Sequence, residues 1–339
     1  MAKTVVALDC MGGDYAPEEP VKGAVEALRE KDNVFIKLVG QTKLIEDELK
    51  KYDDIEKYSD SYEIIDAPDV IDMAEPPVTA IREKTESSLV KCLYAVRHGE
   101  ADGMVSAGSS GAVLVGGHLV IGRLKGVQRP PFAPLLPTAK KKPVLLLDAG
   151  ANVDVRASML LQFAQIGTVY MENILGFENP KVGLVSVGTE EEKGNALTKE
   201  AFPMFKEAKG INFVGNIEAR DIPEGKVDIA VCDAFVGNAI LKTYEGVGAM
   251  ILNTVIDTLK TNLKTKIGAL LIKKQFKKSM KAFDIKEYGG APLLGLKGLL
   301  MKTHGNSKAV EIKNSIFQCI DYNELDLNNK IKERLNLND

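Results

Sequence analysis

Short aliphatic runs alternate with longer amphipathic stretches along most of the chain. Residues 4–8 (TVVAL), 34–40 (VFIKLVG), 62–66, 103–106, 144–147, 182–187 and 227–231 are rich in β-branched or aliphatic side chains and predict strands. Residues 20–31, 42–51, 81–98, 112–120, 158–175, 239–252 and 308–328 predict helices. This alternation predicts an α/β fold on a mostly parallel, doubly wound sheet. Residues 129–137 (RPPFAPLLP) hold four prolines and predict a rigid connection, because proline fixes φ and lacks an N–H.

One segment departs from the pattern. Ile256, Leu259, Leu263, Ile267, Leu270 and Leu271 recur at helical spacing, yet residues 260–281 hold eight lysines and no acid. Residues 252–283 therefore predict a basic amphipathic helical excursion from a single domain spanning residues 1–339. Such a helix either packs on a partner subunit or presents a basic face to an anionic membrane or an acidic protein. Residues 292–301 (PLLGLKGLLM) predict buried core or the wall of an apolar tunnel.

Ligands of open α/β sheets sit at the carboxyl ends of strands, and polar residues gather there. The 103–106 strand leads into Gly108-Ser109-Ser110-Gly111 and then a helix. That unit either aims backbone N–H groups at an anion or serves as a packing turn. It lacks the spacing of a Walker loop and of a dinucleotide site. Asp9 and Asp14 flank Gly12-Gly13 and either hold a metal or substrate or cap the next helix. Comparable clusters are Asp148–Asn152, Gly188–Asn195, Cys232–Asn238 and His304–Ser307. Arg82, Lys84, Ser87 and Ser88 fall at the predicted start of the 81–98 helix, where basic residues are disfavoured unless an anion is near.

Composition narrows the class. At 339 residues with a net charge of −3, the chain has no basic balance to suit nucleic acid as a partner. Four scattered cysteines and three separated histidines form neither a disulfide framework nor a zinc pattern, which suits a reducing cytoplasm. The first residues lack the apolar core of a signal peptide, and no run reaches the ~18 apolar residues of a spanning helix.

Taken together, the clusters resemble the bacterial phosphate acyltransferase family (PlsX). The matching residues are Asp9-x-Met11-Gly12-Gly13-Asp14-x-Ala16-Pro17, Ile81-Arg82-x-Lys84-x-x-Ser87-Ser88, Ser106-Ala107-Gly108-x-x-Gly111-Ala112 and Asp148-x-Gly150-Ala151-Asn152. They continue with Gly188-x-Glu190-x-x-Lys193-Gly194-Asn195, Asp233-x-Phe235-x-Gly237-Asn238, Glu287 to Gly295 (EYGGAPLLG) and His304-Gly305-x-Ser307. Ala234 stands where the family pattern has glycine, and Asn306 where it has serine. The resemblance implies a Rossmann-like α/β/α sandwich and transfer of a long-chain acyl group from acyl-carrier protein to inorganic phosphate. It further implies a homodimer, peripheral association with the inner face of the cell membrane, and a membrane acyltransferase as a further partner. Neither a metal nor a cofactor is expected.

Under that resemblance Lys193, Asn195, Asp233, Asn238 and His304 are the expected catalytic set. Lys193 neutralises charge, Asn195 and Asn238 donate to an oxyanion, Asp233 orients and His304 carries a proton. Phosphate and substrate contacts are expected from Asp9, Gly12, Gly13, Arg82, Lys84, Ser88, Gly108, Ser109, Ser110, Gly111 and Asn152. Lys273, Lys274, Lys277 and Lys278 are expected to meet the membrane or the carrier protein. The competing readings are a phosphate acetyltransferase-like enzyme using acyl-coenzyme A, a nicotinamide-dependent decarboxylating dehydrogenase, and a membrane-surface scaffold without turnover.

Overall fold

The computed structural model describes residues 3–281 and 288–337 and, at residues 277 and 279–281, the backbone alone. Its strands are β1 (Thr4–Asp9), β2 (Val34–Gly40), β3 (Tyr62–Asp66), β4 (Gly103–Ser106), β5 (Leu135–Leu136), β6 (Val144–Leu147), β7 (Lys181–Val185), β8 (Asn212–Ile217), β9 (Ile229–Val231), β10 (Ala291–Leu293) and β11 (Leu299–Lys302). The helices are α1 (Glu18–Glu30), α2 (Thr42–Leu49), α3 (Pro77–Glu83), α4 (Ser88–Arg97), α5 (Ser110–Gly116), α6 (Ala157–Asn173), α7 (Ala196–Glu207), α8 (Ala234–Lys260), α9 (Leu263–Lys281), α10 (Ala309–Glu324) and α11 (Leu327–Arg334).

The expected parallel α/β class is present, but the strands divide into two sheets. Six strands run in the order β10-β11-β4-β1-β2-β3 and five in the order β5-β6-β9-β7-β8. Pairing is parallel except at the edge strands β10 and β5. The proline-rich connection joins the sheets. Ala133 N–H donates to Pro292 O, and Leu294 N–H to Pro131 O, each at 3.0 Å, before the same segment becomes β5. Proline's missing N–H suits an edge position of this kind. One apolar cluster runs from Val6 and Leu8 of β1 through Leu145 and Leu147 of β6 to Phe163 and Tyr170 of α6, so the sheets share a core. Truncating one of these leucines to alanine costs about 2–5 kcal/mol.

Several boundaries differ from expectation. The 81–98 helix is two helices, α3 and α4, separated where Ser87 caps α4 by accepting from Val90 N–H. Arg82 therefore lies in the last turn of α3, where the dipole favours a cation. Residues 234–238 are the first turn of α8 rather than a loop, with Ala234 buried at its start. α7 and β8 were not expected, and the 308–328 helix is broken into α10 and α11 at Asp326, whose φ is +51°. Residues 292–301 are buried core, with Leu293, Leu294, Leu296 and Leu300 at 0–1 % exposure. The basic excursion is the end of α8 with α9; residues 282–283 lie outside the described residues. Among those described, no helix is long and apolar enough to cross a membrane.

Candidate active site

Asp9 ends β1 with its carboxylate buried. It accepts the Ser88 hydroxyl at 2.6 Å, the Ser106 hydroxyl at 2.6 Å and Met11 N–H at 3.2 Å. Burial pushes its pKa above the ordinary carboxylate range, while the hydroxyls of Ser106 and Ser88 oppose that shift. Ser106 in turn accepts from Gly108 N–H at 3.0 Å. A Cβ at Gly12 would sit 2.6 Å from Asp9 Oδ2 and 2.7 Å from Gly108 N, so only glycine lets these loops touch. Asp14 N–H donates to Gly305 O at 2.7 Å, which brings in the loop after β11.

A second buried carboxylate occupies the matching place at the end of β6. Asp148 accepts from the backbone N–H groups of Phe132, Gly150, Ala151 and Asn152 at 2.8–3.2 Å, and from Asn152 Nδ2 at 2.7 Å. Burial raises its pKa to about 6 against these bonds, which leaves it mostly ionised at neutral pH. Asn152 O accepts from Ala234 N–H at 3.0 Å, tying this loop to the start of α8. A Cβ at Gly237 would lie 1.9 Å from Asp148 O.

Helix α8 links the two clusters. Its Glu245 pairs with Lys242 at 2.8 Å and stands 3.7 Å from His304 Nε2, on the loop after β11. Lys302, the last residue of β11, is 5 % exposed. Burial lowers its pKa to about 8; Asp9 and Asp14 work against the shift, and Lys242 adds to it. The strand ends of both sheets thus face a common region crossed by α8.

The expected site residues fall into three groups. Asp9, Ser88, Gly12 and Asn152 are internal braces, saturated by protein contacts. Lys84 is also engaged within the protein, with Glu75 at 2.6 Å and Val70 O at 2.8 Å. Gly111 packs on Pro77, and Gly13 fits its positive φ of +97° against Ala107 and Gly305. Asp233 and Asn195 are helix caps, accepting from Val236 N–H and Thr198 N–H at 2.9 Å each. Lys193, Ser110, Asn238, Arg82 and His304 are exposed, whereas Ser109 is buried. Asn238 Oδ1 lies 3.9 Å from where a Gly150 Cβ would be. Lys273, Lys274 and Lys278 are exposed on α9; the Lys277 side chain is outside the described residues.

Two neighbours of the site escaped sequence reasoning. One is Lys302, whose signal is a lysine closing the apolar run LLMK. The other is His118, just past α5 and beside Asn152. Its Nδ1 is 3.0 Å from Leu114 O, and its buried Nε2 makes no hydrogen bond among the described residues. Burial lowers its pKa, and Arg129 adds to that.

The chain has an α/β fold in which polar loops gather at the facing strand ends of two sheets. Residues 4–330 match the family model described as "Fatty acid synthesis protein". A phosphate acyltransferase of Clostridium novyi is 49% identical over 330 residues, covering 97% of this chain and 98% of that one. One from Clostridium acetobutylicum is 47% identical over 331 residues, covering 98% of each. Among solved structures, the EutD phosphotransacetylase from Staphylococcus aureus shares the fold at TM-score 0.59 and 15% identity, over 94% of both chains. A phosphotransacetylase from Streptococcus pyogenes does so at TM-score 0.59 and 18% identity, over 95% of this chain and 94% of that one. The chain belongs to the fatty acid synthesis protein family, and it is an acyltransferase.

Proposed function

We propose that the protein transfers a long-chain acyl group from acyl-carrier protein to inorganic phosphate, forming an acyl phosphate for phospholipid synthesis. A phosphate oxygen bonds to the thioester carbonyl carbon, and negative charge builds on the carbonyl oxygen. The C–S bond then breaks, and the carrier thiolate leaves and takes a proton that His304 relays from solvent. Phosphate is substantially dianionic near neutral pH, by analogy with a phosphomonoester's second pKa of about 6. The departing thiol has a reference pKa of roughly 8.5. The reaction thus needs charge collection and alignment more than a strong base.

The observation that carries this reading is the pairing of near-full-length family membership with polar loops gathered at the facing strand ends. In this reading Ser110 and the backbone of the Gly108–Gly111 loop beyond Gly108 N–H, which Ser106 already holds, grip phosphate, with Ser109 behind them. Lys193 is exposed and makes no ion pair among the described residues, so its charge is available to phosphate or to the thioester oxygen. Asn238 supplies an amide donor; Asp233 holds the turn that carries it; His304, beside Glu245, is the proton carrier. Asn195 acts through its cap on α7.

The carrier protein is acidic and the inner membrane leaflet anionic, and α9 offers lysines to either. Val247, Met250 and Ile251 of α8 and Leu263, Ile267, Leu270 and Leu271 of α9 are exposed in the single chain. This apolar surface supports a homodimer associated with the cytoplasmic face of the membrane.

The test is phosphate-dependent release of holo-carrier protein from palmitoyl-carrier protein. Release that requires phosphate, and falls at least about tenfold (roughly 1.4 kcal/mol) in Lys193→Ala, is the expected result. Absence of phosphate-dependent release from folded wild type overturns the reading. Equal turnover with acyl-coenzyme A would move the donor assignment to coenzyme A.

A further inference from the structure

Lys302 is the only lysine or arginine among the buried polar and charged side chains of the described residues. An ammonium has three N–H donors. Here the protein acceptor is the Thr303 carbonyl next in the chain, and no carboxylate lies within ion-pair distance among the described residues. Asp9 and Asp14 attract it from further away, but the Asp9 oxygens are already held by Ser88 and Ser106. Removing an ammonium from water without a close counter-charge is expensive, and folds retain such a group where an anion compensates it.

The surroundings suit an anion. β11 pairs with β4 so that Lys302 stands opposite Ser106, whose hydroxyl bonds Gly108 N–H at the root of the glycine-serine loop. On the turn after Lys302, the Ser307 hydroxyl is 4 % exposed and has no hydrogen-bond partner among the described residues. A donor-rich ammonium ends β11 and an idle buried hydroxyl lies on the turn that follows, at the strand ends where ligands of such sheets sit, and both suit an acceptor-rich group.

We propose that Lys302 holds the attacking phosphate in this site, with the Ser307 hydroxyl as a second donor. Phosphate has no carbon skeleton to grip, so an ammonium inside the protein wall both binds it and excludes water from it. Lys193, on the other sheet's loop, is then left to the thioester oxygen. This assignment rests on the phosphate-acyltransferase reading above.

The experiment measures steady-state release of holo-carrier protein from palmitoyl-carrier protein while phosphate and acyl donor are varied separately. Wild type, Lys302→Met and Lys302→Gln are compared, and thermal unfolding is recorded for each. Lys302→Met keeps the length and burial of the side chain and is expected to unfold no lower than wild type, because a buried charge is removed. Its KM for phosphate should rise at least tenfold while the KM for the acyl donor stays within about twofold. If Lys302→Met fails to fold, the polar Lys302→Gln carries the same expectation. An unchanged phosphate KM, or a fall in kcat alone, overturns the assignment and leaves the phosphate-transfer reading intact. Phosphate-independent release by wild type overturns both.

Discussion

The Ser88 hydroxyl donates to Asp9 Oδ1 at 2.6 Å, and with it the first residue of α4 is fastened to the last residue of β1. Ser106 does the same from β4 at 2.6 Å. Asp9 is therefore a clamp on three elements, which its place in a Gly-Gly turn does not disclose. Asp9→Ala leaves two buried hydroxyls and the Met11 N–H without an acceptor. It should cost on the order of 3 kcal/mol, and Asp9→Asn about half that. Urea unfolding of the three proteins measures this. A loss below about 1 kcal/mol for Asp9→Ala would show that the clamp contributes little.

Gly237 answers to Asp148 in the other half. A methyl group there would meet the Asp148 carbonyl oxygen at 1.9 Å, with backbone on both sides of the clash. Gly237→Ala must push α8 away from the β6 loop. We expect at least about 3 kcal/mol of destabilisation together with loss of turnover. A Tm within a few degrees of wild type would mean that α8 shifts freely.

The parallel strands were legible because their apolar runs are short, β-branched and bounded by polar turns; β2, β3, β4 and β6 fall on the expected boundaries. β8 was not, because NFVGNI interrupts its apolar positions with Asn212, Gly215 and Asn216. α7 was masked by Pro203 inside it. The division into two sheets is set by the long-range pairing of residues 131–136 with β10 and β6, which a one-dimensional pattern does not express. Among polar residues, sequence placed Asp9, Asp148 and Asn152 correctly at strand ends. It could not show that their oxygens and amides are used up internally. Lys302 was hidden for the opposite reason: it looks like a strand terminus reaching solvent, and only the packed loops around it reveal that it is buried.

Asn195 and Asn238 separate cap from donor. Asn195→Asp keeps the oxygen that accepts from Thr198 N–H, and aspartate is as good an N-cap as asparagine. Stability should stay within about 0.5 kcal/mol and turnover within a few-fold, whereas Asn195→Ala should lose about 1 kcal/mol. Asn238→Ala should lower kcat about tenfold or more with unchanged unfolding, as removal of an oxyanion donor does. The reverse ranking of Asn195→Asp and Asn238→Ala in kcat would exchange their roles.

Lys302 also sets a pH dependence. Asp9 at the end of β1 and Asp14 on the loop after it favour its charge, Lys242 from α8 opposes it, and His304, two residues on, also feels its charge; burial outweighs the carboxylates and brings its pKa to about 8. Lysine is charged below its pKa, so phosphate binding should hold from neutral pH to about 8 and weaken above it. The stability linkage has its own sign. With the folded pKa below the unfolded value of 10.5, keeping Lys302 charged costs the fold at neutral pH, and that cost fades as pH rises from about 8 toward 10.5. KM for phosphate followed from pH 6.5 to 9.5 should bend upward near 8 in wild type. A flat profile in that range would remove the ammonium from phosphate binding.

The lysines of α9 make the last prediction. Lys273, Lys274 and Lys278 project from a helix whose Leu270 and Leu271 are 72 % and 79 % exposed, so charge and apolar surface lie within one turn of each other. Each lysine near an anionic bilayer contributes about 1 kcal/mol, and an acidic carrier protein draws on the same field. Replacing Lys273, Lys274, Lys277 and Lys278 by glutamate reverses that field while leaving the strand-end site untouched. Binding to vesicles rich in phosphatidylglycerol should fall below detection, and the KM for palmitoyl-carrier protein should rise at least tenfold with kcat near wild type. Loss of vesicle binding with an unchanged KM would give the helix to the membrane alone, and the opposite result would give it to the carrier protein. If both measurements matched wild type, the lysines would be a solvated face and the exposed leucines would belong to the subunit interface alone.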